Sequence, residues 1–139
     1  MHYFSLTPRL QRLYASTATA SQMQWHAEHE TEDGQMSHPS DALAWKVFDQ
    51  KHPDFASEVR NVRIGLCSDG FQPFGKTGQQ YSSWPVVITP YNLPPSLYMR
   101  PEFMFLTVLV PSPRNLKVHV EVFLQPLIAE LNDLWSKGV

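Results

Sequence analysis

Asp69 is the acid whose position in the sequence best suits catalytic chemistry. It follows an alternating segment, Asn61 to Ser68, and precedes Gly70, so it lies where a predicted strand ends in a turn. A carboxylate held at a strand end is a good ligand for a hard cation such as Mg²⁺ or Mn²⁺. The alternative is that Asp-Gly serves here only as a turn dipeptide. Two-metal phosphoryl chemistry needs several carboxylates at one site, and local spacing does not supply them.

The six histidines of the chain do not form a recognisable metal-binding motif. His26 and His29 stand with Glu28 and Glu30 in an H-x-x-H spacing that matches no specific zinc pattern. The surrounding acidic stretch, HAEHETEDGQMSHPSD, has Met36 as its one large apolar residue and therefore predicts a solvated loop. The remaining histidines that we regard as isolated in sequence are His38, His52 and His119.

Length and composition exclude several classes of protein. The 139 residues fit one domain, and a hydrophobic fraction of 42% is sufficient for a packed core. A single cysteine, Cys67, excludes an internal disulfide framework and a CxxC zinc site. The longest apolar stretch, Phe103 to Val110, is far shorter than the roughly 20 residues of a membrane-spanning helix. The first residues do not resemble a secretory signal, so we expect an intracellular protein.

A net charge of −2 gives no bulk basic surface for nucleic acid, but it does not exclude a local one. We assign weak DNA contact to Arg60, Arg63, Lys76 and Arg100. Exposed aromatic residues near them would stack on bases. The alternative is that these side chains belong to the core or to ordinary surface. The aromatic candidates are Tyr81, Trp84, Tyr91 and Tyr98.

The hydrophobic pattern predicts an α+β fold. Helical spacing predicts helices over residues 7–14, with Thr7 as cap, and over residues 40–50, with Ser40 as cap. Alternation and apolar runs predict strands over residues 61–68, 84–89 and 103–110, and a 3.6-residue stripe predicts a final helix over residues 120–137. Three consecutive strands can form an antiparallel meander with the helix on one face. We therefore divide the chain into an upstream segment of short helices and an acidic loop, residues 1–58, and a β-β-β-α core, residues 59–139.

Three long blocks, RNVRIGLCSDGFQPFG, WPVVITPYNLPP and FLQPLIAELNDLW, resemble the transposases of plant CACTA-type (En/Spm-like) DNA transposons. The opening YFSLTPRLQRLYAS resembles the upstream segment of the same family, so the resemblance covers almost the whole chain. It implies a cut-and-paste transposase with a ribonuclease H-like core, in which three acids bind two Mg²⁺ or Mn²⁺ ions. Such cores begin with three antiparallel strands and a helix, and the first acid lies on the first strand. Asp69 then corresponds to the first catalytic and metal-binding acid.

Members of the family continue well beyond the position of Val139, so the resemblance implies a fragment that lacks the other two acids and is inactive alone. No metal ion is then expected to bind tightly. The strand before Asp69 would lack its fourth-strand neighbour and present an open edge. Two alternatives remain: a non-catalytic module that binds DNA or full-length transposase, and a decayed gene remnant without function. The expected partners are DNA and full-length transposase, without a membrane, and the expected location is the nucleus.

Overall fold

The computed structural model describes residues 1–32, 34–73, 82–112 and 120–138. This part of the chain contains both helices and a four-stranded antiparallel sheet, which confirms the predicted α+β class. The strands are β1 (His2–Tyr3), β2 (Ile64–Ser68), β3 (Ser82–Pro90) and β4 (Phe105–Ser112). The α-helices are α1 (Thr7–Ala15), α2 (Thr17–Gln22), α3 (Trp25–Glu28), α4 (Leu43–Lys51), α5 (Pro53–Ser57), α6 (Pro95–Tyr98) and α7 (Val120–Lys137). Short 3₁₀ helices cover Pro39–Asp41 and Pro101–Phe103.

The strands form one sheet with the order β1-β4-β3-β2. β4 is antiparallel to both of its neighbours, with Val108 opposite Val86 on one side and Tyr3 on the other. β4 therefore lies in the interior of the sheet. It extends beyond residue 110, the predicted end of this strand, because Pro111 still pairs with Ser83. The sequence analysis missed β1, which is too short to show alternation.

β2 lies at the end of the strand order and has β3 as its neighbour. Phe71 and Ser83 exchange two backbone hydrogen bonds, at 3.0 and 2.8 Å. Beyond the other end of β2, the N–H of Tyr91 donates to the carbonyl of Arg63 at 2.7 Å. Both contacts fit one uninterrupted antiparallel register. Within the described residues the strand before Asp69 is thus an edge strand, as the sequence analysis predicts.

The chain comprises two compact units. We call the first the sheet unit; it consists of Met1–Gln11, Leu66–Ile88 and Phe105–Val139. We call the second the helical unit; it consists of Arg12–Gly65 and Thr89–Met104. No helix in the described part of the chain is long and apolar enough to span a membrane.

The core of the sheet unit lies between the sheet and α7, which packs against β4. Burial of this apolar surface supplies the main driving force for folding. Leu127 on α7 is 1% exposed, whereas Ile128 and Trp135 are 41% and 58% exposed. The apolar stripe that the sequence predicts on this helix is therefore wider than the part that the core uses. The buried apolar residues of this unit are Leu6, Leu10, Val86, Ile88, Val108, Val110 and Leu127.

In the helical unit, the fully buried side chain of Asn92 joins separate segments. Its Nδ2 donates to the carbonyl of Asn61 at 3.0 Å, and its Oδ1 accepts from the N–H of Arg63 at 2.8 Å. Because buried amide groups must be hydrogen-bonded, these two bonds fix the chain before β2. The prediction for the second helix is partly wrong: Ser40, the predicted cap, lies in a 3₁₀ turn, and α4 begins at Leu43.

The carboxylate of Glu130 on α7 fixes the N-terminal segment within the sheet unit. It accepts hydrogen bonds from the hydroxyls of Tyr3, Ser5 and Thr7 and from the backbone N–H groups of Leu6 and Thr7. Desolvation alone would raise the pKa of Glu130, but these bonds outweigh it and lower the pKa to about 2. The carboxylate therefore caps α1 from another helix, in place of the predicted capping by Thr7.

We expect Glu130→Ala to lower the free energy of unfolding by about 2 kcal/mol, since it leaves several part-buried donors without an acceptor. Asp133→Ala, on the same helix, is the matched control. It removes only an exposed ion pair with Lys137 at 2.7 Å and should cost less than about 0.5 kcal/mol. Urea denaturation of the three proteins measures both values. Equal losses for the two variants would contradict a capping role for Glu130.

Candidate functional site

Asp69 lies directly after β2 and its side chain is exposed. Among the described hydrogen bonds, its carboxylate accepts one, from the N–H of Gly70 at 2.8 Å. This bond orients the carboxylate against its own backbone and leaves oxygen lone pairs directed to solvent. The exposure of Asp69 fits both interpretations of the sequence, a ligand position and a turn dipeptide, so its role as a ligand stays a prediction.

The turn that carries Asp69 is held by the indole ring of Trp84 on β3. A methyl group built on Gly70 would lie 2.6 Å from Cζ2 and 2.7 Å from Cε2 of that ring. Only glycine leaves room for this approach, because β-carbon contacts of that length do not occur in proteins. The indole Nε1 is buried and has no hydrogen-bond partner among the described residues. The ring of Trp84 therefore packs against the turn that carries Asp69, and base stacking by Trp84 stays a prediction.

We expect Gly70→Ala to destabilise the protein by about 1–3 kcal/mol, since the added methyl group must displace the Trp84 ring. In a Trp84→Leu background the same substitution should cost much less, because the obstructing ring is gone. A double-mutant cycle measured by thermal or urea unfolding gives this coupling. Additive effects of the two substitutions would show that the close approach does not hold the turn.

The acids of the described residues do not gather around Asp69. No three His, Cys, Asp or Glu side chains in the described ranges are arranged to hold a metal ion. One exposed carboxylate fits a single ligand position, whereas Mg²⁺ requires six oxygen positions and two-metal sites require several shared acids. The described part of the chain therefore does not fit the two-metal centre that the resemblance implies.

The four residues assigned to DNA contact lie in different surroundings. Arg60 is exposed, and its guanidinium pairs with Glu58 at 2.7 Å, which raises the pKa of Arg60 and lowers that of Glu58 to about 2. Arg100 is also exposed and precedes the second 3₁₀ helix. Lys76 lies outside the described residues. DNA contact by these three residues stays a prediction.

Arg63 has contacts that the sequence analysis did not anticipate. Its guanidinium lies 4.2 Å from the ring centroid of Trp45 and also faces the rings of Phe48 and Phe55, at 5.6 and 5.5 Å. A carboxylate oxygen of Asp49 pairs with it at 2.5 Å, and its side chain is 13% exposed. Cation–π contacts of this kind are strongest where water is excluded. These internal contacts give Arg63 a structural role in the helical unit, and its contact with DNA stays untested.

Three histidines of the acidic stretch belong to an aromatic cluster of the helical unit. The ring of His29 stacks on Trp25 with a centroid distance of 4.2 Å. His38, which is 2% exposed, meets Trp25 edge-on at 4.9 Å and Tyr98 at 5.6 Å. The prediction of a solvated loop is therefore wrong for this part of the stretch. His38 is isolated in sequence but packed in space, and His26 lies 5.7 Å from Trp45.

Both ring nitrogens of His38 are hydrogen-bonded. Nε2 donates to the carbonyl of Leu93 at 3.1 Å, and Nδ1 accepts from the N–H of Ser40 at 3.1 Å. These partners require the neutral Nε2–H tautomer, because a proton on Nδ1 would face the Ser40 N–H. Burial lowers the pKa of His38 below the ordinary value of 6.5, and burial followed by the charge of Arg63 lowers the pKa of His26.

Asp41 closes the segment that carries His29 and His38. Its carboxylate accepts from Thr31 at 2.8 Å and from the backbone N–H groups of Ser37 and His38 at 2.8 and 2.9 Å. Desolvation by itself would raise the pKa of Asp41, but these bonds outweigh it and lower the pKa. A polar cleft of about 330 Å³ lies beside this network. The acids that line the cleft, Asp41 among them, already have partners within the protein. We therefore interpret the cleft as part of the fold and not as a ligand site.

We expect the free energy of unfolding to fall as the pH drops from about 7.5 to about 5.5. A histidine whose pKa is lowered in the folded state binds fewer protons there than when unfolded, so acid favours the unfolded chain below pH 6.5. The lowered pKa of the carboxyls acts in the same direction but only in more acidic solution, below about pH 4.5. Urea denaturation across this range tests the effect, and His38→Gln should flatten the pH dependence. A profile that His38→Gln leaves unchanged would contradict it.

Sequence reasoning missed the aromatic cluster because its members are scattered over residues 25–98 and no local spacing joins them. Tryptophan next to the H-x-x-H pair, at Trp25, was the one available signal. The partner of Arg63 was likewise hidden, although Asp49 and the aromatic residues that face it share the short helices before β2.

A family model described as "Transposase family tnp2" matches residues 33–139. The matched range includes β2, β3, β4 and α7 as well as Asp69 and His38. Comparisons with curated proteins and with solved structures find no match.

Proposed function

Because the chain belongs to the tnp2 transposase family, we propose that it acts in DNA transposition through a ribonuclease H-like core of the CACTA type. The order of elements within the matched residues supports this proposal: three strands, β2, β3 and β4, follow one another in the chain and in the sheet, and α7 then packs on β4. DNA is the partner that this function requires, and the nucleus is the compartment in which a plant member of the family would meet it.

The exposed carboxylate of Asp69 is the observation on which we base a proposed catalytic role for this residue. It ends the first strand of this succession, in a turn fixed by Gly70 and Trp84. Glu130 and Asp49 are engaged internally: Glu130 accepts from five donors, and Asp49 pairs with Arg63. The carboxylate of Glu130, with its oxygens taken up by these donors, is not available to a metal ion. We therefore propose Asp69 as one acid of the parent family's metal-dependent strand-cleavage centre.

We propose further that these 139 residues bind DNA without cutting it. Asp69 has no cluster of acids around it among the described residues, and one carboxylate does not suffice for cleavage by two metal ions. Arg100 favours a binding role, since its exposed side chain adds positive charge at the surface of the helical unit. Arg60 contributes less, because Glu58 beside it neutralises its charge.

We expect the chain to bind a fluorescently labelled DNA duplex with an affinity that falls as the salt concentration rises. Arg100→Ala should weaken binding similarly for different sequences and reduce the salt slope by about one, as loss of one phosphate contact does. Arg60→Ala is the matched control and should change the affinity less. Fluorescence anisotropy at several salt concentrations measures these differences.

Cleavage is tested with supercoiled plasmid in Mg²⁺ or Mn²⁺, using Asp69→Asn and, as a matched exposed acid, Asp54→Asn. We expect intact plasmid for all three proteins and DNA binding by each. Nicking that Asp69→Asn abolishes and Asp54→Asn keeps would mean that the chain forms a complete centre, against the non-cutting role. Nicking that survives Asp69→Asn would contradict the assignment of Asp69. Absence of salt-dependent binding would overturn the proposed DNA-binding role.

A further inference from the structure

The outer edge of β2 presents a regular row of backbone groups. Phe71 and Arg63 make their backbone hydrogen bonds toward the β3 side, and they are an even number of residues apart. Since backbone N–H and C=O groups point to alternate sides along a strand, the residues between them with the opposite parity point outward. The outward residues within β2 are Ile64, Leu66 and Ser68.

The sequence of β2 itself lacks the residues that protect edge strands from pairing. Natural proteins place lysine, proline or a bulge on an exposed edge, but the sequence of β2, IGLCS, contains neither a charge nor a proline. Leu66, at its centre, is 52% exposed, and Cys67 and Ser68 are exposed as well. An uncharged edge with an exposed leucine is therefore open to a further strand.

We propose that this edge binds the β2 edge of a second copy of the chain, in antiparallel orientation and centred on Leu66. In this register the strand is complementary to itself: Ile64 of each copy faces Ser68 of the other, so all three outward residues find hydrogen-bonding partners. The two Leu66 side chains meet at the two-fold axis and cover each other's exposed surface. The proposal is independent of the function proposed above.

Charge at the strand ends selects the orientation. Parallel, in-register pairing would place the two Asp69 carboxylates side by side, and like charges in that position are unfavourable. Antiparallel pairing centred on Leu66 places the two Asp69 carboxylates at opposite ends of the paired strands and avoids this repulsion. Registers centred on Gly65 or Cys67 leave part of the outward row of β2 without a partner inside the opposing strand.

The oligomeric state of the full chain tests this proposal. Sedimentation or light scattering at about 100 μM, a concentration suited to a small interface, should show a dimer. Leu66→Lys should weaken self-association by about tenfold or more, because two lysines would then face each other on the axis. Leu43→Lys, which changes a leucine that is 75% exposed on α4, is the matched control and should remain dimeric. A monomeric wild type, or a folded Leu66→Lys protein that still forms the dimer, would overturn the proposal.

Disulfide trapping tests the register even if Leu66→Lys fails to fold. With Cys67→Ser removing the single native thiol, Leu66→Cys places a cysteine on the axis, within the Cα separation of about 5.5 Å that a disulfide accepts. It should link two chains under mild oxidation. Ser68→Cys in the same background should not, since the two residues 68 lie at opposite ends of the paired strands. Linkage through residue 68 in preference to residue 66 would refute the Leu66-centred register.

Discussion

The carboxylate of Glu130 is the contact through which the N-terminal segment of the sheet unit is organised. Five donors from residues 3–7 converge on it, so the chain is held against α7 at the point where β1 ends and α1 begins. A two-residue strand such as β1 has too few ladder bonds to persist alone. Its pairing with β4 therefore relies on the anchored residues that follow it. The same carboxylate offsets the unpaired N–H groups at the start of α1, which every helix must satisfy in some way.

The sequence predicts the parts of the fold that depend on local patterns. The α+β class, three strands in meander order and the long final helix follow from hydrophobic patterns within single segments of the chain. Features that depend on distant partners were not predictable: β1 requires β4, the cap of α1 requires Glu130, and the inward face of α4 is set by the Arg63 guanidinium that Trp45 covers.

In the candidate site, too, the features that depend on local sequence were predictable and those that depend on distant residues were not. Asp69 was predictable because a strand ending in Asp-Gly is a local signal. Its support by Trp84 was not, because the ring comes from the neighbouring strand and touches Gly70 only in the folded sheet. The acidic stretch was misjudged because composition describes average solvation, whereas His38 is buried through hydrogen bonds to two particular backbone groups. Polar residues can thus enter a core wherever the chain supplies their partners.

Glu130, Asp41 and Asp49 differ from Asp69 in whether their carboxylates are available to a ligand. Glu130, Asp41 and Asp49 are surrounded by donors or cations, so their charges stabilise the fold and are not free for ligands. Asp69 is exposed, and it stands at the end of β2, whose outer edge has no partner strand among the described residues. A strand added at that edge would run past Asp69 and bring its own side chains beside the carboxylate. The side chains around Asp69 would therefore depend on which strand pairs with β2. Ligand binding at Asp69 and strand pairing at this edge are linked for that reason.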